Sequence, residues 1–179
     1  MKFRQLALIP LVFAFATIGL SQSTPSIRKV DFKNFNYGSL CSGPHTFFSP
    51  PAENLVLKAG HQDHGDEMNY ADLRSVRYVD LNGDGRDEAF VVVHGQTAGS
   101  SNDYVVAYVF NYERGRARQV WTLCEENSTA ELKGKALIFT SPEWLKNDAH
   151  CCFSHVATRT YAWKGKGLTL ISTKRKKNK

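Results

Sequence analysis

The sequence has no hydrophobic stretch long enough to cross a lipid bilayer. Its longest apolar run, from Leu6 to Leu20, contains Pro10 and falls short of the about 20 residues that a spanning helix needs. Basic residues precede the run and small residues follow it, a layout typical of a secretory signal. We predict a signal peptide at residues 1–23, cleaved after Ser21 or Ser23, and hence a secreted or periplasmic protein with no transmembrane segment after cleavage. An uncleaved N-terminal anchor is the alternative.

The body of the chain also lacks an excess of positive charge. The formal net charge is +6, but Lys2 and Arg4 would leave with the signal, and Lys174–Lys179 holds five further positive charges, so the remaining body has a charge of −1. A nucleic-acid surface needs basic residues clustered over one face of the fold, and we therefore expect no nucleic-acid binding. The tail at 174–179 is expected to be disordered, with contact to anionic lipid or polysaccharide as the alternative.

Motifs of nucleophilic enzymes are missing as well. The sequence has no Gly-x-Ser-x-Gly, no Ser-x-x-Lys in a suitable setting and no lone cysteine with a histidine partner. We expect a binding or structural module with a protein or polysaccharide ligand. The alternative is a secreted metal-dependent hydrolase, built on a second polar cluster that could bind Zn²⁺. The residues of that cluster are His61, Asp63, His64, Asp66 and Glu67.

Four cysteines are present, Cys41, Cys124, Cys151 and Cys152, and none lies near the predicted cleavage site, which argues against a lipid anchor. An even number in an exported chain predicts disulfides. The neighbours Cys151 and Cys152 are too close to favour a bond with each other, because adjacent α-carbons are only about 3.8 Å apart. We expect Cys41 to pair with one of them and Cys124 with the other. A soft-metal site at 150–155 is the alternative, since thiolate and imidazole suit Zn²⁺ or Cu⁺.

The apolar pattern predicts a mainly β fold: an antiparallel sheet or sandwich with an irregular N-terminal arm and little helix. Residues 24–53 hold four of the six prolines and form the arm, and residues 24–173 form a single β domain. The segments Glu88–His94 and Tyr104–Phe110 are apolar on both alternating faces, which is typical of central strands. Phe90 is expected on one face and Ala89 on the other. Further predicted strands are Asn54–Lys58, Ser75–Val79, Arg116–Leu123, Leu132–Phe139, His155–Trp163 and Leu168–Ser172, giving seven or eight in all.

Two segments are predicted not to be strands. The polar stretch 61–72 is expected to be a loop or a single helical turn. Ser141-Pro142 is typical of a helix start, with the serine as cap and the proline at the first position.

The sharpest local motif is the loop 80–88, Asp-Leu-Asn-Gly-Asp-Gly-Arg-Asp-Glu. Oxygen donors fall at alternate positions, and Gly85 permits the turn that would wrap them round one point, as a hard cation such as Ca²⁺ requires. The predicted ligands are Asp80, Asn82, Asp84, the carbonyl of Arg86, and Glu88. An EF-hand fits poorly, because its twelfth position is Val91 here. The alternative is a hairpin turn rich in Asn, Asp and Gly for backbone reasons alone.

This loop resembles the calcium loops of FG-GAP and VCBS-type repeats, over about fifteen residues from Val79 to Val93. Those repeats build propellers of at least four blades. The chain has one copy and no internal repeat, so the resemblance implies a structural Ca²⁺ loop and no propeller.

A wider resemblance spans most of the mature chain. The chain is similar to bacterial secreted proteins that include LppP/LprE-type lipoproteins, in the segments Asp31–Phe35, Tyr78-Val79-Asp80, Glu88-Ala89, Cys151-Cys152 and Tyr161–Gly165. The chain departs from that group in having no lipidation cysteine, and in Phe153 where a proline often follows the cysteine pair. The resemblance implies an exported domain and adds no enzymatic activity to the prediction.

Overall fold

The computed structural model describes residues 26–39, 54–63, 70–96, 103–149 and 152–178. The predicted signal peptide lies outside these ranges. Within them the chain is mostly β, and its only helical element is a 3-10 turn at Ile27–Lys29, so the predicted mainly β fold is confirmed. The strands are β1 (Asn36–Ser39), β2 (Asn54–Val56), β3 (His61–Asp63), β4 (Tyr70–Val79), β5 (Glu88–Gln96), β6 (Asp103–Glu113), β7 (Arg116–Glu126), β8 (Thr129–Lys133), β9 (Ala136–Glu143), β10 (His155–Lys164) and β11 (Gly167–Lys177).

These strands form three antiparallel sheets. A five-stranded sheet has the order β3-β4-β5-β6-β7, a four-stranded sheet has the order β11-β10-β9-β8, and β1 pairs with β2. Two hydrophobic cores lie on opposite faces of the five-stranded sheet. The described part of the chain is therefore a three-layer arrangement with the five-stranded sheet in the middle.

The first core packs the N-terminal arm on the five-stranded sheet. Ile27 and Phe32 from the arm join Leu55 and Leu57 from the β2 region, and all four are buried against β5 and β6. The aromatic rings are close: the centroid of Phe110 is 5.3 Å from that of Phe32. The arm thus supplies a hydrophobic layer of its own.

Two buried tyrosines in this first core differ in their hydrogen bonding. The hydroxyl of Tyr37 donates to the carbonyl oxygen of Phe32 at 2.7 Å. The hydroxyl of Tyr108 is buried and has no partner among the described residues. Burial raises the pKa of both phenols well above the ordinary value, so both stay neutral.

The second core packs the five-stranded sheet on the four-stranded one. Leu137 and Phe139 of β9 are buried against alternate residues of β5 and β6. Ala89 of β5 lies in the first core and Phe90 in the second. The prediction of central strands buried on both faces is confirmed, and it holds because successive side chains of a strand point to opposite faces.

The polar stretch 61–72, predicted to be a loop or a single helical turn, is strand at both of its described ends. β3 covers His61–Asp63, and β4 begins at Tyr70, with His61 opposite Asp72 in the register. β3 is a short edge strand that contributes no residue to either core, so it lacks the apolar alternation that would have identified it.

The predicted strand Leu132–Phe139 is instead a hairpin of β8 and β9. Its turn falls at Gly134, which has a φ of 60°. The Gly-Lys pair at 134–135 interrupts the apolar pattern and is the local signal for this turn. With β1, β3 and this additional strand, the described residues contain eleven strands, more than the seven or eight predicted.

The predicted helix start at Ser141-Pro142 is wrong, because Ser141–Glu143 is the end of β9. Pro142 lies opposite Val156 of β10. The pairing of β8 with β9 stops at Thr140, so among the described strands this end of β9 has a neighbour on one side only. A proline is tolerated at such an edge because it has no N–H to donate on the open side.

The basic tail was expected to be disordered over 174–179, but its described part, residues 174–178, has a regular structure; Lys179 lies outside the described residues. β11 continues through Lys177, and Lys174–Lys177 pairs with β10 in regular antiparallel register. The amide of Asn178 donates to the carbonyl of Ser154 at 2.7 Å.

Candidate functional site

The loop between β4 and β5 folds around the carboxylate of Asp80. One oxygen of Asp80, Oδ1, accepts from the amides of Gly83 at 2.6 Å and Asp84 at 3.1 Å. The other oxygen, Oδ2, accepts from the amide of Gly85 at 3.3 Å. Burial alone would raise the pKa of Asp80, but these amides and the nearby Lys135 ammonium bring it below its ordinary value. The loop backbone therefore wraps around the negatively charged carboxylate of Asp80.

The next alternate positions repeat this arrangement. Oδ1 of Asn82 accepts from the amide of Asp84 at 2.8 Å, and Oδ1 of Asp84 accepts from the amide of Arg86 at 2.8 Å. Each side chain thus binds the backbone two residues on, the usual behaviour of Asn and Asp in turns. Gly83 and Gly85 have φ values of 81° and 83°, which side chains rarely tolerate.

Glu88 is the buried member of the predicted ligand set, with 2% of its surface exposed. Its Oε2 accepts from the amide of Leu81 at 2.8 Å, and its Oε1 from the side-chain amide of Asn82 at 2.9 Å. Burial raises the pKa of Glu88 above its ordinary value. The backbone amides of Leu81 and Asn82 lower this pKa, whereas the negative charges of Asp84 and Asp80 raise it further. The loop therefore holds three carboxylates close enough to repel one another.

Asn82 links two of these carboxylates. Its Nδ2 donates to Oδ2 of Asp84 at 3.2 Å and to Oε1 of Glu88 at 2.9 Å. The side chains of four of the five predicted ligands, all but Arg86, thus lie close together. Arg86 was predicted to contribute its carbonyl oxygen, but the hydrogen bond that it makes in the loop is donated by its N–H. These oxygen donors are of the type that a hard cation prefers. The described residues nevertheless contain no group of three or more His, Cys, Asp or Glu side chains arranged to hold a metal ion.

Two ion pairs fix the loop to its neighbours. Oδ2 of Asp80 lies 3.5 Å from Nζ of Lys135, in the turn between β8 and β9. Oδ2 of Asp87 lies 2.6 Å from Nε of Arg28, which is part of the 3-10 turn. The Arg28 guanidinium also lies over the ring of Tyr78, 5.0 Å from its centroid. Sequence patterns gave no sign of these partners, because Arg28 and Lys135 are distant from the loop in the chain.

An open cleft of about 710 Å³ lies beside the loop. The turn between β6 and β7 forms its other wall. Oδ1 of Asn111 is buried there with no partner among the described residues, while its Nδ2 donates to Glu113 at 2.7 Å. The lining residues are Ser26, Ile27, Asn82, Asp84, Gly85, Arg86, Asp87, Glu88, Asn111, Tyr112, Glu113, Arg114 and Gly115.

The second polar cluster, proposed for a hydrolase, is described only in part. Nδ1 of His61 lies 2.8 Å from Oδ1 of Asp72 across the β3–β4 pair. Asp63 ends β3, and the remaining predicted members, His64, Asp66 and Glu67, lie outside the described residues. The carboxylate partner of His61 is therefore Asp72, which the sequence reasoning placed in a loop and did not include.

The cysteine-rich segment near β10 combines a disulfide with a polar network. Cys124 and Cys152 are both disulfide-bonded, which removes Cys152 as a thiolate ligand for a soft metal. Cys41 and Cys151 lie outside the described residues, so the pairing stays a prediction. Oδ2 of Asp148 accepts from the amides of Leu145 and Ser154, and these backbone hydrogen bonds hold the pKa of Asp148 below its ordinary value.

Fold and loop together define a three-layer antiparallel β domain with an acidic loop between β4 and β5. Comparison with protein-family models, with curated proteins and with solved structures gives no match. Among the described residues, no helix has the length and apolar character needed to span a membrane.

Proposed function

We propose that this protein is an exported binding or structural module in which Ca²⁺ stabilises the loop between β4 and β5. Asp80, Asn82, Asp84 and Glu88 would hold the ion with side-chain oxygens, and Arg86 with its carbonyl. The ion would supply positive charge beside three carboxylates, two of which, Asp84 and Glu88, now share the side-chain amide of Asn82. Its role would be structural, and the ligand of the module would be a protein or a polysaccharide.

The observation that carries this proposal is the burial of Glu88 beside two other carboxylates. An anionic side chain that is 2% exposed and repelled by Asp80 and Asp84 destabilises the folded state unless a positive charge compensates it. The side-chain amide of Asn82 offsets part of this repulsion, because it donates one hydrogen bond to Asp84 and one to Glu88. A divalent cation would compensate more strongly, because it interacts with all three carboxylates at short range.

The position of the loop explains why such an ion would stabilise the whole domain. The loop joins β4 to β5, and β5 has residues in both hydrophobic cores. Through Lys135 and Arg28 it also contacts the four-stranded sheet and the arm. A loop fixed by an ion would therefore hold all three layers together at this end of the domain.

The test is the melting temperature of the oxidised protein, measured in excess EDTA and again in about 5 mM Ca²⁺. For a dissociation constant of about 10⁻⁴ to 10⁻³ M, typical of extracellular modules, this concentration stabilises by about 1 to 2 kcal/mol. We expect a rise of about 2 to 8 °C in a domain of this size. Titration calorimetry should give one Ca²⁺ per chain.

Two variants make this test specific. Asp84→Ala should abolish the Ca²⁺-dependent rise. Asp87→Asn is the matched control, because Asp87 lies in the same loop but binds Arg28, and it should keep the rise even if its starting melting temperature is lower. An equal melting temperature in EDTA and Ca²⁺, with no heat of binding, would reduce the loop to a hydrogen-bonded turn and remove calcium from the function.

A further inference from the structure

β11 is a long and exposed edge strand. It spans eleven residues, Gly167–Lys177, and among the described strands it pairs only with β10, at the end of the four-stranded sheet. Residues 169–177 are all exposed. An edge of this length offers unpaired backbone groups to any further strand, and natural proteins usually shorten, cover or interrupt such edges.

The register identifies which backbone groups are open. Asn178 donates to Ser154 directly opposite it, so this pair is hydrogen-bonded. Hydrogen-bonded and non-hydrogen-bonded pairs alternate in an antiparallel ladder. Lys174 and Lys176 therefore bond to β10, whereas the N–H and C=O groups of Thr173, Arg175 and Lys177 point away from the sheet.

The regular part of this edge ends at a bulge. Ser172 lies opposite Thr160 and Leu170 opposite Tyr161, which leaves Ile171 without a residue opposite it. A bulge bends a strand and interrupts its ladder. The regular open edge is therefore the six residues 172–177, and the apolar side chains of Leu170 and Ile171, 47% and 46% exposed, lie immediately beyond it.

The same six residues carry a strong positive charge. Lys174, Arg175, Lys176 and Lys177 are consecutive, and β11 contains no acidic residue. Arg175 forms an ion pair with Glu143 at 2.7 Å. None of the three lysines forms an ion pair with a described residue. Three of the four positive charges on this edge thus have no ion-pair partner in the part of the chain that the structure describes.

We propose that β11 binds an acidic, extended polypeptide segment, which adds to the four-stranded sheet as a fifth strand along residues 172–177. Backbone hydrogen bonds to Thr173, Arg175 and Lys177 would supply affinity, and pairing with the lysines would supply specificity. A second copy of this chain offers no such match, because two β11 strands have no acidic residue between them. The site is on the opposite sheet from the calcium loop and does not depend on it.

The test is fluorescence anisotropy with labelled ten-residue probe peptides. The first probe alternates valine and glutamate, the second has lysine for glutamate, and the third has the charge of the first but is interrupted by two prolines. We expect the first probe to bind at least about 10-fold more tightly than either of the others, with affinity falling as salt rises. A third probe that binds as well as the first would show that charge alone attracts the peptide and would overturn strand addition.

A backbone variant separates strand addition from general attraction. Thr173→Pro removes an N–H that points away from β10, and we expect it to weaken the first probe by about 10-fold or more. Thr173→Ala is the control and should bind as the unaltered protein does. Thr173→Pro and Thr173→Ala must have the same far-UV circular dichroism spectrum and melting temperature. If Thr173→Pro unfolds, the removal of an outward N–H is tested at Lys177 instead, with Lys177→Pro compared against Lys177→Ala.

Other occupants would each give a distinct result. Sedimentation that shows a dimer which Thr173→Pro dissociates would make a second copy the occupant. Binding to vesicles with a quarter of anionic lipid, unchanged by Thr173→Pro, would make the edge a membrane contact. Absence of binding to any probe would leave the lysines as residues that keep an open edge from aggregating. Each of these outcomes overturns the proposal.

Discussion

Gly95 of β5 lies where the side chain of Tyr104 leaves no room for a Cβ. It lies opposite Tyr104 in the β5–β6 register, and the hydroxyl of Tyr104 reaches across it to the carbonyl of Tyr70 on β4, 3.4 Å away. A Cβ added at Gly95 would overlap the ring of Tyr104 and come within 2.5 Å of the Tyr70 carbonyl oxygen. Glycine is thus required here for space.

Gly95→Ala should therefore destabilise the protein, by about 1 to 3 kcal/mol as is usual when a packed site receives an extra methyl group. Gly167→Ala is the matched control, because a Cβ there meets no atom within 4 Å, and its effect should stay within about 0.5 kcal/mol. Urea denaturation of the two variants measures the difference. Equal stabilities would mean that Tyr104 moves aside freely.

The sequence predicted which residues of the acidic loop lie close together, but it did not predict their burial or their ion-pair partners. Alternate oxygen donors and the glycines of the turn are local properties of the sequence, and the structure brings Asp80, Asn82, Asp84 and Glu88 together. The burial of Glu88 and its pKa depend on how the layers pack, which no local pattern contains. Lys135, 55 residues away from Asp80, is beyond such reasoning for the same reason.

At the scale of elements, strands with an apolar pattern were predictable and strands without one were not. β5 and β6 are buried on both faces, and their composition already indicates this. β3 is polar, and β8 is separated from β9 by only two turn residues, so neither has a distinct signal. At Ser141-Pro142 the local preference for a helix start is overridden by pairing with β10, because tertiary context outweighs propensity.

The two large sheets are joined by an ion pair as well as by the second core. Nη1 of Arg159 on β10 donates to both oxygens of Glu125 on β7, at 2.9 and 2.8 Å, and to Oγ of Ser141 on β9 at 2.9 Å. The side chains of Arg159 and Glu125 are only 24% and 25% exposed. One guanidinium thus connects three strands of the two sheets.

Arg159→Met should lower the free energy of unfolding by about 1 to 3 kcal/mol. This is less than the 3 to 5 kcal/mol of a fully buried pair, because both groups keep some contact with water. A double-mutant cycle with Glu125→Gln measures the coupling between them. Lys133→Met, which breaks an exposed pair with Glu131 within one strand, serves as control and should cost less than about 0.5 kcal/mol. A cycle with no coupling energy would contradict this view of the sheet contact.

At the scale of the whole molecule, the two hydrophobic cores share the strands β5 and β6. Phe110 belongs to the first core, and Trp121 and Trp163 pack against the second. A strand cannot lose order on one face and keep it on the other. We therefore expect the three layers to unfold together.

Phe110→Ala tests this cooperativity. Loss of a buried phenylalanine should cost about 3 to 5 kcal/mol. In a Trp144→Phe background, the fluorescence of Trp121 and Trp163 reports only the second core, and its urea midpoint should fall together with that of the far-UV circular dichroism. Phe139→Ala in the second core is the comparison and should shift both signals equally. A fluorescence midpoint that Phe110→Ala leaves unchanged would show that the cores unfold separately.

The order of the layers along the chain has a consequence for synthesis. The arm that covers one face of β5 and β6 precedes these strands in the chain, but β8–β11, which cover the other face, follow them. Until β8–β11 are made, Phe90, Val92 and their neighbours form an apolar β-rich surface without its cover, the kind of segment that associates with other chains. We therefore expect the central strands to associate with other chains more readily before β8–β11 are in place than after they have packed.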